Sequence, residues 1–138
     1  MTFERSLVLD RLGAIPLFAE VAPDSLERVA DLVTEFEAPA GHVLVQPGQP
    51  GAGMFVLERG AVAVELPGRT IELGPGEFFG ELSILADGIV RTARVRCTSA
   101  VRCLAISRSD FAELLRREPR IAVSMLPVLA RRLAEAQG

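Results

Sequence analysis

Lysine is absent from this 138-residue chain, histidine occurs once and cysteine twice, and no apolar run approaches the ~20 residues that cross a bilayer. His42, alone and just after a turn glycine, cannot supply the ligands of a cupin-like metal barrel. Cys97 and Cys103 stand in apolar, strand-like contexts, which predicts buried reduced thiols and no metal site. The opening "TFERSLVLD" lacks the basic-then-apolar pattern of a secretory leader, so the chain is expected to be cytoplasmic. All 15 basic residues are arginine, scattered without interleaved aromatics, and against 18 acids they leave a charge of −3. Nucleic acid is therefore not expected as a direct partner.

What is present is a globular balance, 49% apolar and 24% charged residues, on a length that removes roughly two-thirds of the unfolded surface from water. No repeat, low-complexity tract or Ser/Gly linker divides it, which predicts one domain over residues 1–138. "SLVLDRLGAIPLF" predicts a short helix stopped by Gly13 and Pro16, with Leu17 and Phe18 left to pack. "APDSLERVADLV" sets Leu26, Val29, Ala30 and Val33 at helical spacing behind Asp24 as N-cap, with Glu27 three residues on.

From Thr34 the period changes. The runs "HVLVQ", "MFVLE", "AVAVEL", "TIEL", "TARVRC" and "VRCLAIS" alternate with "PGQPGAG", "RG", "PG" and "GPG", the signature of an antiparallel sandwich or roll over 34–106. The short connections predict neighbours paired as hairpins, with Gly60 as the foremost tight turn. Helices return over 107–138. Ser107 and Asp110 make an N-terminal capping pair, Pro119 closes that helix, and a last helix carries Ile121, Met125, Val128, Leu129 and Leu133 on one apolar stripe. Pro127, inside it, removes a hydrogen bond and predicts a kink.

Between the roll's strands lies "FFGELSILADGIVRTARV". If "GELSILA" forms a short helix, the N–H groups near Glu81, Leu82 and Ser83 lack intrahelical partners and favour an anion, with Gly80 allowing close backbone approach. Arg91 returns after the "ADGIV" turn with a planar two-donor fork suited to phosphate. Glu81 would repel a phosphate unless it reads a hydroxyl on the same ligand, which a ribose 2′-OH provides. The alternative is a rim salt bridge between Glu81 and Arg91, worth little to stability.

"FGELSIL" followed by "RTARV" resembles the phosphate-binding cassette of the cyclic nucleotide-binding domains, and the resemblance spans nearly the whole chain. The family pattern, Phe-Gly-Glu, apolar and small residues, then Arg, a small or hydroxyl residue and Ala, is met by Phe79, Gly80, Glu81, Leu82, Ser83, Arg91, Thr92 and Ala93. "GAGMFVLERGAVAVEL" resembles the family's central hairpin, and the closing helices resemble its B and C helices. Val90 stands where many members have proline, which implies a less rigid loop and lower affinity.

The resemblance implies an α+β fold: an antiparallel, jelly-roll-like β-roll with N-terminal helices, two C-terminal helices and a short phosphate-binding helix in the cassette 79–93. It implies cAMP or cGMP as regulatory ligand, cAMP favoured, with no metal. Glu81 would take the ribose 2′-OH, Arg91 and the amides near Leu82 and Ser83 the cyclic phosphate, and Thr92 a phosphate or base contact. Val64, Ile71 and Phe79 would line the base and sugar pocket, although core packing accounts equally for apolar strand residues. Arg132 would stack on or reach the base from a last helix that moves as a lid, or is otherwise a solvated charge suited to a helix C-terminus.

Catalysis is not expected: Ser83 is in no nucleophile elbow and His42 has no partner arranged by any motif. The chain ends at Gly138, where transcription factors with this sensor continue into a helix-turn-helix. A free-standing sensor, or the sensory piece of a longer protein with its output domain elsewhere, is the expectation. The second reading is a ligand-free roll that dimerises or docks through its C-terminal stripe.

Overall fold

The computed structural model describes residues 3–48, 53–80 and 93–137. They form two compact units, a helical one from residues 1–31 and 113–138 and a β-rich one from 32–112.

In the helical unit, α1 (Phe3–Gly13) ends on the predicted glycine and a 3₁₀ turn (Pro16–Phe18) follows, burying Leu17 and Phe18. Helix α2 (Pro23–Leu32) starts two residues earlier than Asp24 as N-cap predicts. Proline suits the first helical position because its missing N–H has no partner there. The N–H groups of Ser25 and Leu26 both donate to the Ala22 carbonyl at 2.9 Å, so Asp24 sits in the first turn as a dipole-matched acid and is not the N-cap. Helix α3 (Arg108–Arg117) opens in the β-rich unit, capped as expected: Asp110 N–H donates to Ser107 Oγ at 3.2 Å. Pro119 begins α4 (Pro119–Gln137), which continues through Pro127 and packs on the 3₁₀ turn. Glu118, between α3 and α4, accepts from Ser25 Oγ and lies 3.6 Å from Arg28.

The β-rich unit holds β1 (Thr34–Ala38), β2 (Val43–Val45), β3 (Gly53–Arg59), β4 (Val62–Leu66), β5 (Arg69–Leu73), β6 (Phe78–Phe79), β7 (Arg94–Cys97) and β8 (Val101–Ser107). They make two four-stranded antiparallel sheets, in the orders β1-β8-β3-β6 and β2-β7-β4-β5, the expected β-roll. Among the described residues, only β4 and β5, joined through Pro67 and Gly68, are consecutive strands that pair with each other. The hairpin expected at Gly60 is not there: β3 and β4 lie in different sheets, and Gly60, at φ 83°, carries the chain from one to the other. A residue with positive φ makes a tight reversal whether the next strand pairs in the same sheet or crosses the core.

Candidate functional site

Side chains alternate across each strand, and the pairing selects which alternate set faces inward. Phe55 is opposite Phe79 and Ala105, Leu57 opposite Cys103, and Phe36 also opposite Cys103. In the other sheet Val62 is opposite Leu73 and Cys97, and Val64 opposite Ile71 and Val95. Apart from Ala105, these residues form one cluster with Ala38, Val45 and Val101.

Burial along that cluster is graded. Leu57, Val62, Leu73 and Ala38 are buried, whereas the inward neighbours two residues along the same strands, Phe55, Val64, Ile71 and Phe36, are half-buried, as is Leu44. One end of the roll is thus filled and the other presents an apolar rim drawn from five strands. At that rim Phe55 stacks on Phe79 with ring centroids 5.1 Å apart and planes at 19°, and Phe36 meets Phe55 edge-on at 5.9 Å and 80°. Offset stacking and edge contacts are the favoured aromatic geometries, so the three rings hold one another in place.

The filled end contains both cysteines, each fully buried and free. Burial, and secondarily the neighbouring Cys97 and Glu58, push the Cys103 thiol from 9.0 up to about 12, and burial raises Cys97 too. Burial thus favours the neutral thiol at both positions, the less nucleophilic and less metal-binding form.

The turn "GPGE" fixes the approach to the cassette. Gly74 N–H donates to the Glu77 carboxylate at 2.8 Å and Glu77 N–H to the Gly74 carbonyl at 3.2 Å. The turn is pinned on β3 by Gly76 N–H to Leu57 O at 2.7 Å and Leu57 N–H to Glu77 O at 2.9 Å. Phe78 and Phe79 are thereby laid beside β3, and Gly80 follows at φ 88°, a conformation that favours glycine.

Of the predicted ligand residues, the fold brings Val64, Ile71 and Phe79 onto the same inward surface, the first two half-buried at the rim and Phe79 buried in its stack. Gly80 closes β6 and Ala93, half-buried, precedes β7. Arg132 stands half-buried on α4 in the helical unit. Glu81, Leu82, Ser83, Arg91 and Thr92 lie outside the described residues. Phe36, Leu44 and Phe55 were not among the expected lining. Their period-two spacing to Ala38 and Leu57 marks Phe36 and Phe55 as sharing a face with core residues, but no local signal says that this end of the face is open. Among the described residues, no group of three or more His, Cys, Asp or Glu could hold a metal ion, and no helix is long and apolar enough to cross a membrane.

The rim is a largely apolar surface that can accept a flat, apolar group. The family model of the cyclic nucleotide-binding domain matches residues 35–118. The chain is 36% identical over 111 residues to a cyclic nucleotide-gated potassium channel of Mesorhizobium japonicum, covering 80% of this chain and 31% of the channel. It is 35% identical over 127 residues to the cyclic AMP receptor protein of Thermus thermophilus, covering 88% of this chain and 58% of that protein. The crystal structure of Thermus thermophilus catabolite activator protein superposes with a TM-score of 0.75 at 34% identity, over 88% of this chain and 60% of that one.

Proposed function

The chain belongs to the cyclic nucleotide-binding domain family, and on that premise we propose that it is a cytoplasmic regulatory module, acting as one unit over residues 1–138, that binds one 3′,5′-cyclic nucleotide and passes occupancy on through its last helix. The observation that carries this reading is the graded roll interior, filled at one end and rimmed by half-buried Phe55, Val64 and Ile71 at the other. A domain folded only for stability gains from filling both ends; an apolar rim left half-buried has a use as a ligand surface.

In this reading the base and sugar lie against Val64, Ile71 and the stacked Phe79. Glu81 accepts from the ribose 2′-OH. Arg91 and the backbone amides at Leu82 and Ser83 hold the cyclic phosphate, Thr92 adds a hydroxyl, and Gly80 and Ala93 keep the backbone close. cAMP is the favoured ligand over cGMP, supported by the likeness to a cyclic AMP receptor protein over 88% of this chain. Arg132 reaches the base when α4 closes, and a ligand drives that closure only by binding the closed arrangement better than the open one. The role is regulatory and not catalytic; the chain spans a third or so of the channel and less than two thirds of the receptor protein, so the activity it would control is carried by an output domain or partner.

Calorimetric titration with cAMP and cGMP tests the reading. One site per chain, tighter for cAMP, with a raised melting temperature, is expected; no heat and no thermal shift from either nucleotide at millimolar concentration overturns it, and tighter cGMP reverses the preference. Hydrogen exchange protection gained over 128–137 on binding supports a moving helix, while protection confined to 79–95 removes it. A second reading, a ligand-free module that docks or dimerises through its last helix, is favoured by Val123, Leu126 and Leu133, each about 60% exposed on α4.

A further inference from the structure

Three charged residues from three strands meet at the filled end of the roll. Arg102 on β8 is the direct cross-strand partner of Glu37 on β1 and of Arg59 on β3. Arg102 is well held: one terminal nitrogen donates to Glu37 at 3.2 Å, and Nε lies 3.3 Å from Glu35, although without hydrogen-bond alignment, so this buried N–H has no acceptor. Arg59 is exposed and has no acid partner among the described residues. Like charges directly opposite across a sheet are destabilising.

Two further observations concern the same place. The β3–β8 register shifts between Leu57 and Arg59, a bulge-type irregularity of the kind that re-aims a side chain. The surface there is also concave: Arg59, Arg102 and Glu37 line a shallow depression of about 440 Å³ with Ala38, Pro39 and Val101. Places where a local rule is broken are where functional sites are expected. The glutamates already satisfy part of Arg102, so the group still lacking a counter-ion is Arg59, backed by the Arg102 fork and bordered by apolar surface.

We propose that Arg59, in the depression it lines with the Glu37-paired Arg102, binds a carboxylate side chain from an acidic, partly apolar segment of a partner protein. Carboxylate matches the planar two-donor geometry of guanidinium, and the alanine, proline and valine suit the stem that carries it. The shallow form favours a side chain presented by a protein surface over a free metabolite, which a deeper pocket would enclose. The proposal is independent of what the rim at the opposite end of the roll binds.

The test follows the arginine Nε–H signals of the full chain by nitrogen-15 NMR during titration with acetyl-Glu-Leu-Glu-Glu-amide, its glutamine counterpart, glutarate and inorganic phosphate. The acidic peptide is expected to move the Arg59 and Arg102 signals saturably and the glutamine peptide to leave them unmoved. Arg59→Gln is expected to weaken peptide binding at least about tenfold without lowering the melting temperature, since it removes a like-charge pair. Unmoved Arg59 and Arg102 signals, or equal binding by Arg59→Gln, overturn the proposal. Phosphate or glutarate saturating the same signals as tightly as the peptide overturns the protein partner in favour of a small oxyanion.

Discussion

Replacing Gly60 by alanine, with Gly68→Ala as control, separates backbone conformation from crowding. Both glycines have positive φ, 83° and 78°, so an alanine at either pays the left-handed penalty of about 1–2 kcal/mol, partly offset by its smaller unfolded-state entropy. Around Gly68 a Cβ would meet nothing within 4 Å, and the cost there stays near 1 kcal/mol. At Gly60 the same Cβ would stand 2.2 Å from the Ala100 carbonyl oxygen, 2.9 Å from Ser99 Oγ and 3.0 Å from Val101 Cα. That backbone cannot easily retreat: Ala61 N–H donates to Ser99 Oγ at 3.0 Å, and the Ala61 carbonyl accepts from Thr98 N–H at 3.0 Å and Thr98 Oγ1 at 3.1 Å. Overpacking adds about 1–3 kcal/mol, for a total near 2–4 kcal/mol. For a domain of this size that is a fall in Tm of about 8–15 °C against about 4 °C for Gly68→Ala. Thermal and urea unfolding by circular dichroism measure both, and a Gly60→Ala loss no larger than that of Gly68→Ala would refute the close approach of the 98–101 turn.

Arg91→Ala is expected to weaken cyclic nucleotide binding by about 3–5 kcal/mol, the loss of two charge-assisted hydrogen bonds, while Glu81→Ala loses discrimination against 2′-deoxy analogues; calorimetry reads both, and near-normal values remove the assigned roles. Phe55→Leu keeps apolar bulk but forfeits two ring contacts, so stability should fall by about 1–3 kcal/mol in urea unfolding and nucleotide affinity several-fold; lowered stability with unchanged affinity would show that the ring supports the core without lining the site. The Cys103 thiol, raised from 9.0 to about 12, stays neutral in the fold while the unfolded thiol ionises. Its contribution is therefore full below pH 9.0 and declines as pH rises toward 12. Urea midpoints that fall across that window in the parent chain, and fall less in Cys103→Ala, are the expected result.

Helix positions were legible because helical signals are local: Gly13 as a stop, Ser107 as a cap and buried Val29 and Leu114 all follow from residues a few places away. Strand pairing was not, since β1 pairs with β8 and a turn glycine reads the same within a sheet as between sheets. β1, "TEFEA", hides behind its acids, and β6 has two residues, too few for any period to show. At the site, Val64 and Ile71 were named through the resemblance to the family and not through any local signal, whereas Phe36 and Phe55 joined the rim only once the two sheets had been assigned to opposite walls.

The crossing of nearly every connection between sheets bears on how the chain reaches this fold. Thr34 pairs with Ala105, about seventy residues away, so the outer strand waits for a large loop to close, and such high contact order slows folding. Among the described residues, the β4–β5 hairpin, with its turn at Pro67 and Gly68, is the one pairing between consecutive strands and so the one available early. During synthesis Glu35 and Glu37 emerge well before Arg102, their eventual partner, so the acids of β1 keep an unpaired edge soluble until β8 arrives.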